Sequence, residues 1–227
     1  MESIIWNETH LSLLDQRKLP HEESWIHAHN STDVANAIHD MVVRGAPAIA
    51  ISAAYGLALA IQNGEDRNHA AEQLLHARPT AINLAWALER LAKIDDAEIL
   101  NEAKRIHAED LEINHSIGRH GAPLLHGGVI TICNTGALAT AGHGTALGMI
   151  RSAHAAGQNI HVYILETRPY LQGARLTAFE CMKEGIPCTL ITDSMAGFLL
   201  ASGKVQTAVA GCDRVARDGD TASKIGT

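Results

Sequence analysis

"GGVITICNTGALATAGHGTALGMI", residues 127–150, decides the fold class. An apolar, β-rich run leads into a loop of Gly, Ala and Thr, and a helix-like segment follows. Three more apolar runs come later, separated by helix-like segments that each close with glycine: "IHVYILET" (160–167), "IPCTLITD" (186–193) and "VQTAVAGCD" (205–213). Strands that are apolar on both faces and alternate with helices predict a parallel sheet covered by helices. With right-handed crossovers, this is a Rossmann-like open sheet.

The first 120 residues are predicted to be mainly helical after a short N-terminal hairpin, formed by "SIIWN" and "LSLLDQ". One helix is expected in "STDVANAIHDMVVRG", with Ser31 or Thr32 as N-cap and Gly45 just past its end. A buried helix is expected from Pro47 until Gly64 stops it, another from Pro79, and a longer polar one in "DAEILNEAKRIHAEDLEINHSIGRHG".

The expected organisation is therefore an α/β protein with two domains. Residues 1–120 form a helical N-terminal domain, and residues 121–227 form a Rossmann-like domain. The chain stops at Thr227, directly after the fourth predicted strand. Because an open sheet that ends there leaves an unprotected edge strand and an uncovered face, we expect this second domain to be incomplete at its C-terminus.

Composition excludes several classes of function. The formal net charge of the 227 residues is −7, which argues against a nucleic-acid surface. The longest apolar stretch, 46–61, is too short for a membrane span, so we expect no membrane partner. The four cysteines form no CxxC pair, and no signal-peptide pattern is visible. We therefore expect reduced thiols and a cytoplasmic protein.

Each predicted strand ends in polar residues. The first ends in Cys133 and Asn134, the second in "ETR" (166–168), the third in Asp193, and the fourth in Cys212, Asp213 and Arg214. The carboxyl ends of parallel strands meet at one edge of a sheet, where open α/β folds bind ligands. The sequence therefore predicts an enzyme site at this edge.

The glycine-rich loop leaves two interpretations open. Gly142, Gly144 and Gly148 have the spacing G-x-G-x-x-x-G, which departs from the dinucleotide fingerprint and comes late after the strand. A loop whose bare backbone approaches a small ligand is favoured over a nicotinamide site, and no cofactor is expected. Cys133 is either a small core residue or a reactive thiolate. Cys181 and Cys188 are expected to be packing residues.

"RGAPAIA" (44–50) resembles an anion cradle, because Arg44 supplies charge and Pro47 opens a helix whose free N–H groups point outward. The same residues also fit a helix C-cap followed by a helix start. Arg78 before Pro79 repeats the pattern. The chain has 14 histidines, but His27 and His29 have no acidic or thiol partner at ligand spacing, and no metal is expected.

Long motifs, in order along nearly the whole chain, closely resemble the methylthioribose-1-phosphate isomerase family. They are "VVRGAPAIAISAAYGLALA", "RPTAINLAWALERL", "ITICNTGALATAGHGTALG", "ETRPYLQGARLTAFE", "GIPCTLITDSMAG" and "VAGCDRVARDGDTASKIGT". That family is related to the regulatory subunits of translation initiation factor 2B and to ribose-1,5-bisphosphate isomerase. The resemblance implies an aldose–ketose isomerase of methionine salvage, which acts on a small sugar phosphate and forms a homodimer in its full-length form.

The resemblance also implies roles for individual residues. The catalytic cysteine falls on Cys133 and the catalytic aspartate on Asp213. Asp213 would donate a proton to the ring oxygen, and Cys133 would move a proton between C2 and C1. A hydride shift between the same carbons is the rival path. Substrate-binding positions fall on Arg44, Gly45, Ala46, Arg78, Gln172 and Lys224, with Ser223 where the family usually has Asn.

The Ser223 departure leaves the substrate open, because a hydroxyl has a shorter reach than an amide. The alternatives are a 5-deoxyribose-1-phosphate isomerase and a ribose-1,5-bisphosphate isomerase of the same superfamily. A non-catalytic regulatory subunit of the initiation-factor type is the third. Regulatory relatives typically lack the set formed by Cys133, Asp213 and "RGAPAI", and this chain has all of it.

Overall fold

The computed structural model describes residues 1–227. They divide into two compact units. The first consists of residues 1–112 together with 138–142, and the second of 113–137 together with 143–227. A short part of the glycine-rich loop thus belongs to the unit of the N-terminal helices. The domain division at residue 120 stays a prediction.

The first unit begins with three antiparallel strands. β1 (Ile4–Asn7) pairs with β2 (His10–Leu14), as the hairpin prediction required. β3 (Trp25–Ala28) pairs with the other side of β2 and was not predicted. It is four residues long and mostly accessible to solvent, so its alternating pattern is too short to identify a strand.

Helix α2 (Ala46–Gln62) forms the centre of the first unit. Thirteen consecutive residues, Ala48 to Ala60, are buried, which explains why its sequence is apolar on all sides. It begins as predicted at "APAIA", with Gly45 as N-cap and Pro47 in its first turn. Helix α4 (Ile82–Leu91) packs beside it and buries Leu84, Leu88 and Leu91.

Three predicted helix boundaries are wrong. α1 (Ser31–His39) is capped by Asn30, whose side chain accepts a hydrogen bond from the Asp33 N–H at 2.8 Å, so neither Ser31 nor Thr32 is the N-cap. It ends at His39, because Met41 has a positive φ and turns the chain before Gly45. α4 begins at Ile82 rather than at Pro79, which lies in a turn.

Two further helices, α3 and α5, precede the parallel sheet in the sequence. α3 (Arg67–Ala77) was not predicted, since only three of its residues are buried and its apolar face is narrow. Asp66 caps it through the His69 N–H at 2.7 Å. α5 (Ile99–Gly121) is the long polar helix that was expected.

The second unit contains a four-stranded parallel sheet, so the Rossmann-like prediction is confirmed. The strand order is β6-β5-β4-β7. The strands are β4 (Gly127–Thr131), β5 (Ile160–Leu165), β6 (Cys188–Ile191) and β7 (Thr207–Val209). The helices between them are α6 (Ala146–Ala155), α7 (Ala178–Lys183) and α8 (Ala196–Ala201). A small antiparallel hairpin follows, β8 (Arg214–Val215) and β9 (Thr221–Ala222).

The sheet is buried on both faces at its centre. Val129 and Val162 pack into an apolar cluster with α6 and α7, whereas Ile130 and Leu165 pack into a second cluster with Leu199 of α8. The carboxyl ends of β4 and β5 extend from this buried centre. None of the helices is both long and apolar enough to span a bilayer.

Candidate functional site

Cys133 lies just beyond the carboxyl end of β4 in a strained backbone conformation. Its φ is +66°, in the left-handed region that non-glycine residues rarely adopt. Its N–H donates to Thr167 Oγ1 at 2.8 Å, and its carbonyl accepts from Thr177 Oγ1 at 2.6 Å. The residue is partly exposed. Two side chains thus hold the backbone that aims the thiol, which is typical of a functional position.

The end of β5 is strained in the same way and is tied to the end of β6. Thr167 has a φ of +64° and is buried. Asp193 accepts from the Thr167 N–H and from the Arg168 N–H, both at 2.8 Å. Two of the predicted strand ends therefore meet through Asp193, and Thr167 connects them to Cys133.

The glycine-rich loop after Cys133 is bound to a buried carboxylate that sequence reasoning missed. Glu180 of α7 is fully buried and accepts from Asn134 Nδ2 at 2.7 Å and from the Ala137 N–H at 2.8 Å. Arg151 Nη2 donates to the same carboxylate at 2.6 Å. The signal for Glu180 was an acid inside the otherwise apolar run "LTAFECM".

Gln172 has an unsatisfied buried acceptor. The residue is 7% exposed, and its Oε1 has no hydrogen-bond partner. It stands directly before a π-helical turn, 173–177, an irregularity that often occurs at functional sites. Since leaving a buried carbonyl oxygen unpaired costs free energy, this atom is suited to accept a hydrogen bond from a ligand.

Asp213, Ser223 and Lys224 lie on the segment that follows β7. A Cβ on Gly211 would lie 2.7 Å from the side chain of Thr135, two residues after Cys133, so this segment starts at the same edge of the sheet. The Asp213 N–H donates to the Ala222 carbonyl at 2.8 Å, which holds Asp213 next to the strand that precedes Ser223. Asp213 is exposed, whereas Ser223 and Lys224 are half-buried.

In the first unit, Arg44 and Gly45 lie beside residues 138–142 of the glycine-rich loop. Gly45 has a φ of +103°, and a Cβ there would lie 2.6 Å from Ala139 Cα. Gln16 Nε2 donates to the Leu138 carbonyl at 2.7 Å. Only glycine permits this approach, which brings the N-terminus of α2, with Ala46 as its first residue, against the loop.

Three remaining predictions concern Arg78 and two cysteines. Arg78 is half-buried at the C-terminus of α3, in the same unit as Arg44, and its role stays a prediction. Cys181 and Cys188 belong to one apolar cluster, which confirms their packing role. A hydrogen bond from the Cys181 thiol lowers the pKa of Cys188 to about 7. The same contact and burial raise the pKa of Cys181.

No group of three or more His, Cys, Asp or Glu side chains is arranged to hold a metal ion. The rings of His27 and His10 are 5.0 Å apart, with an edge-on geometry, and His29 is 5.3 Å from His10. His27 Nδ1 is instead hydrogen-bonded to Ser12 Oγ at 2.9 Å. These histidines therefore pack on one another beside the N-terminal sheet.

These features define an α/β protein with a Rossmann-like parallel sheet and polar groups gathered at the carboxyl edge of that sheet. Residues 42–227 match the model of the Initiation factor 2 subunit family. The chain belongs to this family.

Individual relatives agree with the resemblance seen in the sequence. A methylthioribose-1-phosphate isomerase from Thermus thermophilus is 53% identical over 228 residues, covering 100% of this chain and 67% of the relative. The chain thus spans about two thirds of that relative's length.

Two solved structures have the same fold. The 5-methylthioribose 1-phosphate isomerase of Pyrococcus horikoshii OT3 has a TM-score of 0.93 at 37% identity and covers 99% of this chain and 69% of its own. A delta subunit of translation initiation factor 2B from A. fulgidus has a TM-score of 0.84 at 41% identity, covering 96% and 69%.

Proposed function

We propose that this protein is an aldose–ketose isomerase that converts 5-methylthioribose-1-phosphate into 5-methylthioribulose-1-phosphate, a step of methionine salvage. The observation that carries the proposal is the identity of 53% across the whole chain to a relative with that name. The strained, partly exposed Cys133 at the carboxyl edge of the sheet supports it, since an isomerase of this type needs a proton-transferring group there.

Cys133 and Asp213 are the proposed catalytic residues. The substrate is locked as a ring by the phosphate on its anomeric oxygen, so the enzyme must open the ring before isomerisation. Asp213 would protonate the ring oxygen. Cys133 would then remove the proton from C2 and return one to C1, acting as base and then as acid, while the Asp213 carboxylate would take up the proton of the C2 hydroxyl as the ketose carbonyl forms. A hydride shift from C2 to C1 is the alternative, in which Cys133 only polarises the substrate.

Seven residues are proposed to bind the substrate. Gln172 would accept a hydrogen bond from a sugar hydroxyl, because its buried Oε1 is otherwise unpaired. The charge of Arg44 and the backbone N–H groups that begin α2 suit a phosphate. The complete set is Arg44, Gly45, Ala46, Arg78, Gln172, Ser223 and Lys224.

The proposal is tested by incubating the purified protein with 5-methylthioribose-1-phosphate and following the ketose product by NMR. Cys133→Ser and Asp213→Asn are each expected to lower kcat about 100-fold or more. Matched controls are Cys212→Ser, an exposed cysteine, and Asp218→Asn, an exposed acid on the same segment. Turnover at the wild-type rate in Cys133→Ser or Asp213→Asn would remove these assignments.

Incorporation of solvent deuterium into the product distinguishes proton transfer by Cys133 from a hydride shift. Isomerisation in D₂O is expected to place deuterium at C1 of the product, because a proton on the Cys133 thiol exchanges with water. Product without deuterium would favour the hydride shift and leave Cys133 as a polarising group.

The same protein can be used to test which group the substrate carries at C5 and whether the chain is a non-catalytic regulatory subunit. Comparing 5-methylthioribose-1-phosphate with 5-deoxyribose-1-phosphate and ribose-1,5-bisphosphate by kcat/KM identifies the substrate. The 41% identity to an initiation-factor delta subunit keeps a non-catalytic regulatory role as the second candidate. Absence of turnover with all three sugar phosphates, in a folded protein, would favour that role.

We also propose a cytoplasmic location and, for the full-length form, a homodimer. The resemblance supports the dimer, and the reduced cysteines support the location. Sedimentation equilibrium at several concentrations tests the dimer, and a single monomeric species would contradict it.

A further inference from the structure

The loop that carries Cys133 depends on one buried acid, which lies outside the set of residues assigned to substrate or chemistry. We propose that Glu180 is a positioning residue that fixes the place of the Cys133 thiol. The kinetic part of this inference rests on the proposed isomerase function, whereas the part that concerns the reactivity of Cys133 does not.

The hydrogen bonds of Glu180 span the first turn of the loop. Its Oε1 accepts from Asn134 Nδ2 at 2.7 Å, and its Oε2 accepts from the Ala137 N–H at 2.8 Å. A Cβ on Gly136 would lie 2.3 Å from Oε2, so the glycine is needed for the carboxylate to reach the backbone. The carboxylate therefore holds residues one and four positions after Cys133.

The same helical segment also holds Cys133 itself. Thr177 precedes Glu180 by three residues, one helical turn, and its hydroxyl donates to the Cys133 carbonyl at 2.6 Å. Asn134 Nδ2 lies 3.3 Å from Thr177 Oγ1 as well. Movement of the Glu180 side chain would therefore shift the backbone of Cys133 through two neighbours, Asn134 and Thr177.

Arg151 supplies the positive charge that allows a buried carboxylate. Its Nη2 donates to Glu180 at 2.6 Å, and its Nε and Nη2 both donate to Glu184. A carboxylate, which only accepts hydrogen bonds, suits the donors of Asn134, Ala137 and Arg151, because a carboxamide would turn an N–H₂ group toward one of them. This requirement distinguishes Glu180 from Glu184, which contacts Arg151 without touching the loop.

Glu180→Gln and the matched control Glu184→Gln test the proposal. Each removes one negative charge beside Arg151, Glu180 from within α7 and Glu184 from the residue that caps the C-terminus of the same helix. Glu180→Gln is expected to lower kcat about 10- to 100-fold with little change in KM, because the thiol acts in the chemical step. It is also expected to change the alkylation rate of Cys133 by iodoacetamide several-fold. Glu184→Gln is expected to leave both quantities within about twofold.

Asn134→Ala provides a second variant, since it removes one loop contact and leaves Glu180 paired with Arg151. It is expected to give the same loss of kcat with the thermal midpoint less affected, and it decides the question if Glu180→Gln does not fold. Equal effects of Glu180→Gln and Glu184→Gln, or an unchanged kcat and alkylation rate in Asn134→Ala, would overturn the proposal. If the wild-type protein does not isomerise the substrate, the proposed function fails, and the alkylation rates still decide the role of Glu180.

Discussion

At the scale of single residues, Cys133 differs from the other three cysteines in its backbone. A non-glycine residue at φ = +66° costs about 1–3 kcal/mol, and a glycine would relieve this cost. The position nevertheless carries a side chain. A thiol at a strained backbone position is consistent with the chemical role proposed for Cys133.

The strain at Cys133 leads to a first prediction. Cys133→Gly should be more stable than Cys133→Ala by about 1 kcal/mol, because only alanine keeps the Cβ that disfavours a positive φ. Urea unfolding of the two variants measures this difference in the free energy of unfolding. Because neither variant has a thiol, packing of the sulfur does not contribute to it. Equal stability, or a more stable alanine variant, would show that the backbone relaxes when the thiol is absent.

A second prediction concerns Cys188. Its pKa is lowered to about 7 by the hydrogen bond from the Cys181 thiol, so its thiolate form is populated above about pH 7. Iodoacetamide labelling of Cys188, followed by peptide mass spectrometry, should therefore rise with a midpoint near this pH. Cys181→Ala removes the donor and should move the midpoint upward, toward the ordinary value of 9.0. The same midpoint in both proteins would contradict the contact as its cause.

At the scale of elements, helix α2 shows how the sequence specifies both ends of a helix. Gly45 and Gly64 flank it, and both have a positive φ, +103° and +70°. They differ in their surroundings. A Cβ on Gly45 would lie 2.6 Å from Ala139 Cα, whereas a Cβ on Gly64 would meet no atom within 4 Å. Gly45 is therefore needed both for its positive φ and for the close approach to residue 139, whereas Gly64 is needed only for the positive φ of the turn.

This difference leads to a third prediction. Gly64→Ala should destabilise the protein by about 1 kcal/mol, from backbone strain alone. Gly45→Ala should cost about 2–4 kcal/mol, because the new methyl group also collides with the backbone of residue 139. Urea unfolding measures both costs. If the two variants lost the same stability, the loop would be free to move away from α2 without cost.

Elements with strong, long patterns could be predicted from the sequence, and short or polar ones could not. α2 and the strands β4 to β7 are continuous apolar runs between glycines, so their existence follows from composition. β3 has four residues and α3 buries only three side chains, so neither has enough periodicity. The end of α1 depends on Met41, whose positive φ no local residue preference indicates.

At the scale of the whole molecule, the edge of the sheet where polar residues gather could be predicted from the sequence. The hydrogen bonds that hold those residues in place could not. Parallel topology alone brings the ends of β4, β5, β6 and β7 to one edge, which the register confirms. The contacts of Cys133 with Thr167 and of Asn134 with Glu180 join residues 34 and 46 positions apart. These hydrogen-bonded pairs depend on how helices pack against strands, and they cannot be predicted from one sequence alone.

The distribution of burial over the molecule leads to a last prediction. Val129 and Val162 are fully buried in β4 and β5, whereas every residue from Ala210 to Thr227 is at least partly exposed. Amides of the two central strands should therefore exchange with deuterium far more slowly than those of 210–227.

Because Asp213 and Lys224 are proposed to act on the substrate, 5-methylthioribose-1-phosphate should slow exchange in 210–227, and inorganic phosphate at the same concentration should not. Hydrogen exchange followed by mass spectrometry measures both conditions. If residues of 210–227 bind the ligand, they must be folded in the complex. The ligand then stabilises the folded form of this segment by mass action, and its amides open to solvent less often. Exchange in 210–227 that the sugar phosphate leaves unchanged, while it slows exchange around Gln172, would place Asp213 and Lys224 outside the binding site.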